Sequence, residues 1–365
     1  MKVKHLKLKN YRNCKDVEFD FDAQKILIIG KNAQGKTNIL ESIYFLSTLK
    51  SQRTSNNIEL INFEENSVEI SSLVEKSETD IELDFHYDRE KKREIKANGL
   101  KTRPKEFKNV LKTVLFSTQD LLLLRGNPQD RRDWLDSAIS QIYPAYEERL
   151  SKYNKIRVQK NNFLKEYDKN ETLLDVYNEQ LSILGSNIIY LRKKFLKEIE
   201  KLSGEKHTNI SEKEVLEIKY DCSFLQEEEE VEEILEQFKQ KLQERKELEI
   251  IRGQSLVGPH RDDLIFYING QEATKFASQG QQRTVVLSLK LAEIDIIKDK
   301  IGQSPILLLD DVLAELDDVR QNFLLKTINE TTQTIITSVD TLLFDNNFLE
   351  GVKIYKICDG KISKE

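Results

Sequence analysis

The chain has 365 residues, 38% of them apolar, enough to fill one large core or two ordinary ones. Its formal net charge of −6 excludes attraction to polyanions through bulk charge, so any nucleic-acid contact has to come from local basic patches. Cys14, Cys222 and Cys358 are too few and too far apart for a disulfide framework or a Cys-x-x-Cys metal site, which suits a reducing cytoplasmic setting. Met1 to Lys9 lacks the apolar run of a leader peptide, and apolar runs such as Ile306 to Leu309 fall far short of the ~20 residues needed to span a bilayer.

Taken in chain order, Met1 to Lys9 and Val17 to Phe21 alternate as strands. Ile26 to Ile29 is a buried run that ends in Gly30-Lys31-Asn32-Ala33-Gln34-Gly35-Lys36-Thr37, and Asn38 to Ile43 opens a helix. Gly-x-x-x-x-Gly-Lys-Thr between a strand and a helix is the form of a phosphate-binding P-loop. Backbone N–H groups at a helix N-terminus suit a polyphosphate, with Lys36 reaching the β/γ-phosphates and the Thr37 hydroxyl ligating Mg²⁺. A chance surface turn would lack both flanking elements. Ser67 to Tyr87 is strand-like through Val68, Ile70, Ile81, Leu83, Phe85 and Tyr87. Lys92 to Lys101 reads as a hairpin about Asn98-Gly99, and Val110 to Phe116 as a further strand.

Near Arg125 the pattern turns helical. Leu181, Leu184, Ile188, Leu191, Phe195, Ile199 and Leu202 form one stripe, and Val231, Ile234, Phe238 and Leu242 another. A connection holding Ser203-Gly204 and the acidic run Glu227 to Glu230 is expected between them, giving two helices folded back on each other. The acidic run fits a solvated helix N-terminus. After Gly253 the mixed pattern returns. Leu264 to Ile268 is a strand ending in an Asn269-Gly270 turn, Thr284 to Ile297 an apolar helix, and Ile306 to Leu309, Thr334 to Thr337 and Val352 to Ile357 are strands. One α/β unit built from both chain ends is expected, residues 1–125 and 252–365, with a helical arm, 126–251, inserted.

Two further motifs carry chemistry. Ile306-Leu307-Leu308-Leu309-Asp310-Asp311 is a buried parallel-type strand ending in two acids. Asp310 is placed to hold Mg²⁺ through water and Asp311 to orient or polarise an attacking water. Ser278-Gln279-Gly280-Gln281-Gln282-Arg283 precedes the apolar helix and offers a second anion site at a helix N-terminus. A simple N-cap is the plainer account of Ser278. A second phosphate site is surplus in a monomer but sensible if it meets a nucleotide held by another chain.

Four segments together resemble the ABC-type ATPase heads of SMC-like DNA repair proteins: Leu8-Lys9-Asn10-Tyr11-Arg12-Asn13, the P-loop, Ser278 to Arg283, and Asp310-Asp311-Val312-Leu313-Ala314-Glu315-Leu316-Asp317. Leu256 to Asp263 and Phe116 to Leu121 narrow the resemblance to the RecF family of bacterial recombination mediators. It runs nearly end to end, dense in the head and thin in the insert. It implies an α/β ABC-type P-loop ATPase head with an inserted antiparallel helical arm. It also implies that Ser278, Gln279, Gly280 and Gln281 are a signature loop binding the partner's γ-phosphate, and that Ala314 to Asp317 is a dimer-contact loop. Arg12 is implied to touch nucleotide, and Gln119 to be a Q-loop glutamine near the metal. Asp311 stands where many relatives of this class have a catalytic glutamate, so slow hydrolysis is expected. No histidine occurs near Thr337-Ser338-Val339-Asp340, leaving a hydroxyl or Asp340 to sense the γ-phosphate. ATP, Mg²⁺, a homodimer, duplex DNA, single-strand/duplex junctions, and help to RecO and RecR in loading RecA complete the implied picture.

DNA contacts are expected along Lys91 to Lys108, where Lys91, Lys92, Arg93, Lys101, Arg103 and Lys105 stand out, with further basic clusters at Arg131-Arg132 and Arg192-Lys193-Lys194. Without a base-reading motif, such contacts are to phosphate and salt-sensitive; a solvated face is the plainer account of each cluster. His260-Arg261-Asp262 resembles a kinase catalytic loop, but no Asp-Phe-Gly follows and no kinase Gly-rich loop precedes it, so His260 is expected to support the head where the insert meets it. A transporter ATPase subunit fits the long insert and the Ser-Gln-Gly-Gln-Gln loop poorly. A long-armed SMC clamp needs more than an insert that, at ~1.5 Å per helical residue and folded back, reaches only tens of ångströms. A P-loop kinase or GTPase leaves the Ser278 loop unexplained.

Overall fold

The computed structural model describes residues 1–166, 170–225, 230–328, 332–358 and 360–364. The chain divides into two compact units, Met1–Asp120 with Lys290–Glu365, and Leu121–Leu289.

The N-terminal segment begins with β1 (Lys2–Tyr11) and β2 (Cys14–Asp20), whose alternate residues point inward. Then come β3 (Lys25–Ile29) and α1 (Lys36–Thr48). The long alternating run is split in two, β4 (Ser67–Lys76) and β5 (Thr79–Asp88), by a turn in which Ser77 and Glu78 both take positive φ, the geometry of a tight hairpin. β6 (Arg93–Ala97) and β7 (Leu100–Lys101) form the expected hairpin, with φ of 51° at Asn98 and 74° at Gly99. A short helix α2 (Pro104–Lys108) and the buried strand β8 (Thr113–Ser117) follow.

The second unit opens with α3 (Leu122–Arg125), α4 (Pro128–Ile142) and α5 (Pro144–Phe163). The 41-residue α6 (Glu171–Ser211) leads to β9 (Leu216–Asp221), and α7 (Val231–Arg252) follows. β10 (Asp263–Ile268), β11 (Gln271–Glu272) and α8 (Ala273–Phe276) lead into α9 (Gln279–Ile301), which crosses the boundary between the units. α6 and α7 run antiparallel. Glu179 pairs with Lys239 at 3.2 Å and Asp175 with Lys246 at 3.4 Å, in opposite order along the two helices. They approach closely at Gly185, where a Cβ would lie 2.2 Å from the Phe238 ring.

Two expectations about the insert are corrected. Ser203-Gly204 lies inside α6, not in a connection, because the apolar stripe continues through His207 and Ile210. The connection instead holds β9, whose short alternation of Leu216, Ile218 and Tyr220 is hidden among charged helix formers. All six residues of β9 pair with β10, and residues 252–289 fall within the second compact unit. Glu227 to Glu229 of the acidic run lie outside the described residues; Glu230 opens α7, donating its N–H to Glu233 at 3.0 Å.

The chain returns to the first unit through β12 (Ile306–Asp310), α10 (Asp318–Thr327), β13 (Thr334–Ser338), α11 (Asn346–Leu349), β14 (Val352–Cys358) and β15 (Lys361–Lys364). The first unit holds two sheets. One is antiparallel in the order β2-β1-β4-β5-β6-β7. The other has the order β15-β14-β3-β13-β12-β8, parallel except for the edge strand β15. α1 contributes Ile39, Ile43, Phe45 and Leu46 to a single core that also takes Leu6, Leu8, Ile70 and Phe85 from the first sheet and Ile26, Ile28 and Leu308 from the second. Phe45 meets Phe85 edge to face at 4.6 Å. A helix covered on most sides can carry apolar residues nearly all round, and 11 of the 13 residues of α1 are buried.

Candidate nucleotide site

The site grows from the parallel sheet. β3 lies between β13 and β14, and β12 follows beyond β13, so the chain exits Ile29, Ser338 and Asp310 fall along one edge. That edge, at the carboxyl ends of parallel strands, is where open α/β sheets form ligand crevices. Gly30 to Thr37 joins β3 to α1 there. Gly30 is required by close packing: a Cβ would stand 2.6 Å from the Ile357 carbonyl oxygen. Gly35 caps α1 at φ 107° and Ala33 has φ 66°, a left-handed path that turns the loop back on itself. Lys31, Asn32 and Ala33 are exposed on this turn, whereas Gln34 is half-buried.

Lys36 is almost fully buried and folds back onto the loop, donating to the carbonyls of Gly30 at 2.6 Å and Lys31 at 3.4 Å. Its Nζ is 3.9 Å from Asp311 Oδ2. The Thr37 hydroxyl donates to Asp310 Oδ1 at 3.0 Å, and the Thr337 hydroxyl donates to the same oxygen at 2.9 Å while accepting from the Asp311 N–H at 2.9 Å. Burial raises the pKa of Asp310, opposed by the two hydroxyls, with Asp311 adding to the rise. Asp311 itself is held at φ 52°, so the backbone turns sharply between the two acids.

A second layer, which the sequence did not flag, braces the loop. Asn13, in the turn between β1 and β2, donates to the Ala33 carbonyl at 3.3 Å and accepts from Asn38 at 2.6 Å; Arg53 donates to the Asn38 oxygen at 2.8 Å. The only sequence signal for Asn13 was its place beside Arg12. Arg12, at φ 51°, is committed to the buried Glu41 through Nε at 2.6 Å and Nη2 at 2.7 Å. Gln119 is exposed two residues beyond Ser117, the register partner of Asp310, while the next residue, Asp120, accepts from the Ser117 N–H at 2.7 Å and pairs with the buried Lys290 at 2.8 Å.

The Ser278 loop belongs to the other unit and begins α9. Ser278 Oγ accepts from the Gln281 N–H at 3.2 Å, and Gln281 Oε1 accepts from the Ser278 N–H at 2.8 Å, a reciprocal cap that satisfies orphan donors. Asp317, at the end of the 314–317 segment, likewise caps α10 by accepting from the Arg320 N–H at 3.0 Å.

Three arginines of the two further basic clusters are engaged within the protein, whereas Lys194 is exposed. Arg131 is buried in an ion pair with Asp263 at 2.7 Å, and Arg132 donates to the Asp262 carbonyl at 2.6 Å. Arg192 is wholly buried, gripping Asp136 through two nitrogens at 3.0 Å and the Pro259 carbonyl at 2.6 Å. Both clusters lie among helix formers, where an inward arginine and a solvated one read alike. His260 supports the second unit's interior rather than a meeting of insert and head, with Nδ1 2.8 Å from the Tyr153 hydroxyl and Nε2 3.2 Å from the Ser255 carbonyl oxygen. Along the hairpin and α2, Lys91, Lys92, Arg93, Lys101, Arg103 and Lys105 are exposed; Lys92 pairs with Glu90 at 2.5 Å and Arg103 with Glu106.

Comparison with known proteins agrees with this geometry. Residues 2–363 match the family model described as the RecF/RecN/SMC N terminal domain. The DNA replication and repair protein RecF of Staphylococcus carnosus (strain TM300) is 41% identical over 371 residues, covering 100% of both chains. That of Bacillus thuringiensis (strain Al Hakam) is 40% identical over 372 residues, covering 100% of this chain and 99% of its own. A solved structure of the recombination mediator protein RecF with ATP, in the RecFOR pathway, superposes with a TM-score of 0.92 at 35% identity, covering 100% of this chain and 97% of the other. An Smc head bound to the C-winged helix domain of ScpA shares the fold alone, with a TM-score of 0.56 at 14% identity over 100% of this chain and 98% of that one. The fold is thus the α/β head of SMC-like ABC-type ATPases, built from both chain ends around an inserted helical arm. The chain belongs to the RecF family of DNA replication and repair proteins.

Proposed function

We propose that this chain is an ATP-operated DNA clamp of recombinational repair, a cytoplasmic ABC-type ATPase that binds ATP at Gly30 to Thr37 and dimerises on DNA. The observation that carries the reading is the meeting of Thr37, Asp310 and Thr337 at one carboxylate oxygen, at the mouth of the P-loop. A relative 35% identical and solved with ATP supports the choice of nucleotide.

The residues present fit Mg²⁺. One hydroxyl and one carboxylate, Thr37 and Asp310, are the sparse protein share that this ion takes when phosphates and waters fill the rest. Bound there, the ion would neutralise phosphate charge. Gln119, exposed beyond β8, is a candidate to approach the same edge. Lys36 exchanges its loop carbonyls for phosphate oxygens, and the N–H groups of Lys31 to Thr37 line the polyphosphate. Arg12, steadied by Glu41, contacts nucleotide from the β1–β2 turn. Asp311 orients the attacking water. Its side chain is shorter than glutamate and is drawn toward Lys36, which suits slow turnover.

Two chains close head to tail, each presenting Ser278, Gln279, Gly280 and Gln281 to the other's γ-phosphate, with Ala314 to Asp317 at the contact. As an N-cap, Ser278 Oγ accepts from its own helix, which leaves its hydroxyl proton for a phosphate oxygen. Closure brings the exposed Lys91, Lys92, Arg93, Lys101, Arg103 and Lys105 of both chains onto duplex DNA and single-strand/duplex junctions, and hydrolysis reopens the clamp. Family membership supports RecO and RecR as partners in loading RecA. The reading is tested by titrating DNA with protein in the presence and absence of ATP. ATP is expected to tighten binding to duplex and gapped DNA at least tenfold in the wild type and not in Lys36→Met; equal affinity with and without ATP would refute it.

A further inference from the structure

The reciprocal cap at Ser278 depends on which way the Gln281 amide faces. Its Oε1 accepts from the Ser278 N–H at 2.8 Å, so its Nε2 must find an acceptor on the other side. That acceptor is Glu214 Oε1, at 2.8 Å. The other carboxylate oxygen of Glu214 lies 3.2 Å from Nε2 of His207, a fully buried residue of α6. His207, Glu214, Gln281 and Ser278 therefore form one hydrogen-bonded chain that ends at the N-terminus of α9. All four residues belong to the second unit.

The acceptor is itself pinned. Ser211 Oγ accepts from the Glu214 N–H at 3.2 Å, and the Thr208 hydroxyl donates to the Glu214 carbonyl at 3.3 Å, so the last turn of α6 grips the residue from both sides. The next residue, Val215, exchanges two hydrogen bonds with Asn269, each 2.9 Å, which ties it to the turn between β10 and β11. An exposed glutamine rotates readily; one held between a fixed donor and a fixed acceptor does not.

We infer that Glu214, braced by His207, is a positioning residue for the signature loop: it fixes the amide of Gln281, and through it the cap that aims the Ser278 hydroxyl and the first N–H groups of α9 outward at an anion. The inference rests on the reading that this loop engages the nucleotide held by a second chain. It makes a directional demand. A carboxylate or an amide oxygen at the full reach of the glutamate side chain preserves the acceptor that Gln281 needs. A methyl group removes it. A lysine places a donor against Nε2, and the Gln281 amide must turn over, setting its NH₂ against the Ser278 N–H.

The test compares Glu214→Gln, Glu214→Asp, Glu214→Ala and Glu214→Lys with Ser278→Arg in full-length protein. Dimer mass is read by light scattering against protein concentration with saturating ATP and duplex DNA. Binding of a fluorescent ATP analogue to dilute monomer is measured alongside. Glu214→Gln is expected within about twofold of wild type. Glu214→Ala should raise the concentration for half-dimerisation roughly tenfold, and Glu214→Lys more, while monomer nucleotide affinity stays within about twofold in all four, a split that general destabilisation would not produce. Glu214→Asp, which withdraws the acceptor by one methylene, should lose several-fold and carries the test if Glu214→Ala is unstable. Wild-type dimerisation by Glu214→Ala and Glu214→Lys, beside a Ser278→Arg that fails to dimerise, overturns the role of Glu214 alone. Wild-type dimerisation by Ser278→Arg overturns the underlying reading as well.

Discussion

Thr37 and Asp310 stand 273 positions apart in sequence and are joined by a hydrogen bond of 3.0 Å from hydroxyl to carboxylate. This bond unites the two chain ends at the P-loop. Thr37→Val keeps the shape and removes the donor. Without nucleotide it should cost about 1 kcal/mol in urea unfolding, one buried hydrogen bond's worth, because Thr337 still serves Asp310. With nucleotide, the gain in ATP affinity on adding MgCl₂ should largely vanish, as calorimetric titration with and without the ion would reveal. A full Mg²⁺ response in Thr37→Val would remove Thr37 from the metal's ligands.

Arg192 looks in sequence like part of a basic patch, yet its guanidinium is wholly buried and holds Asp136 and the Pro259 carbonyl. Arg192→Lys keeps the charge but not the fork, and leaves Asp136 and the carbonyl poorly served. Urea unfolding should record a loss of about 3 kcal/mol. DNA affinity of the folded variant should match wild type, and a selective loss of DNA binding at unchanged stability would return Arg192 to the nucleic-acid surface.

The opposite result is expected at the exposed pair Lys101 and Lys105. The double substitution to alanine should leave stability within about 0.5 kcal/mol and weaken DNA binding at low salt. The slope of log affinity against log salt should shrink by roughly 0.9 for each DNA phosphate that the variant no longer neutralises. An unchanged slope would mean that DNA lies elsewhere.

His260 supplies a pH-dependent term. Burial, with Arg157, Arg261 and Arg132 nearby, lowers its pKa to about 3, so it is neutral in the fold and accepts from Tyr153 at Nδ1. Between about pH 6.5 and 3 the unfolded chain takes up a proton there that the folded chain refuses, so this group destabilises the protein as pH falls. Asp262 works in the other direction: burial raises its pKa to about 6, and the folded chain gains a proton before the unfolded one does. His260→Gln can keep both hydrogen bonds and removes only the first effect. Denaturant midpoints from pH 7 to 4 should therefore fall less steeply in the variant than in wild type; parallel curves would mean that His260 is charged in the fold.

The sequence revealed the head well because its elements are strongly patterned. Ile26 to Ile29 and Ile306 to Leu309 are fully buried strands, each ending in a motif with its own chemistry. The insert was harder to read. β9 is a six-residue strand whose alternation is drowned by lysine and glutamate, and only its pairing with β10 reveals it. Arg131 and Arg192 were misread because composition cannot tell an inward guanidinium from an outward one. Asn13 and Glu214 make side-chain contacts that arise only once the β1–β2 turn meets the P-loop and the connection from α6 to β9 meets the start of α9.

The central claim is that each nucleotide site is completed by a second chain. It is tested most directly by mixing two defective proteins with ATP and DNA and weighing the product by light scattering. Lys36→Met lacks a working P-loop but has an intact Ser278 loop; Ser278→Arg has the reverse. Neither should dimerise alone, whereas the mixture should form a heterodimer through its one complete composite site. A mixture that stays monomeric while wild type dimerises, or a wild type that stays monomeric on DNA with ATP, would contradict the account.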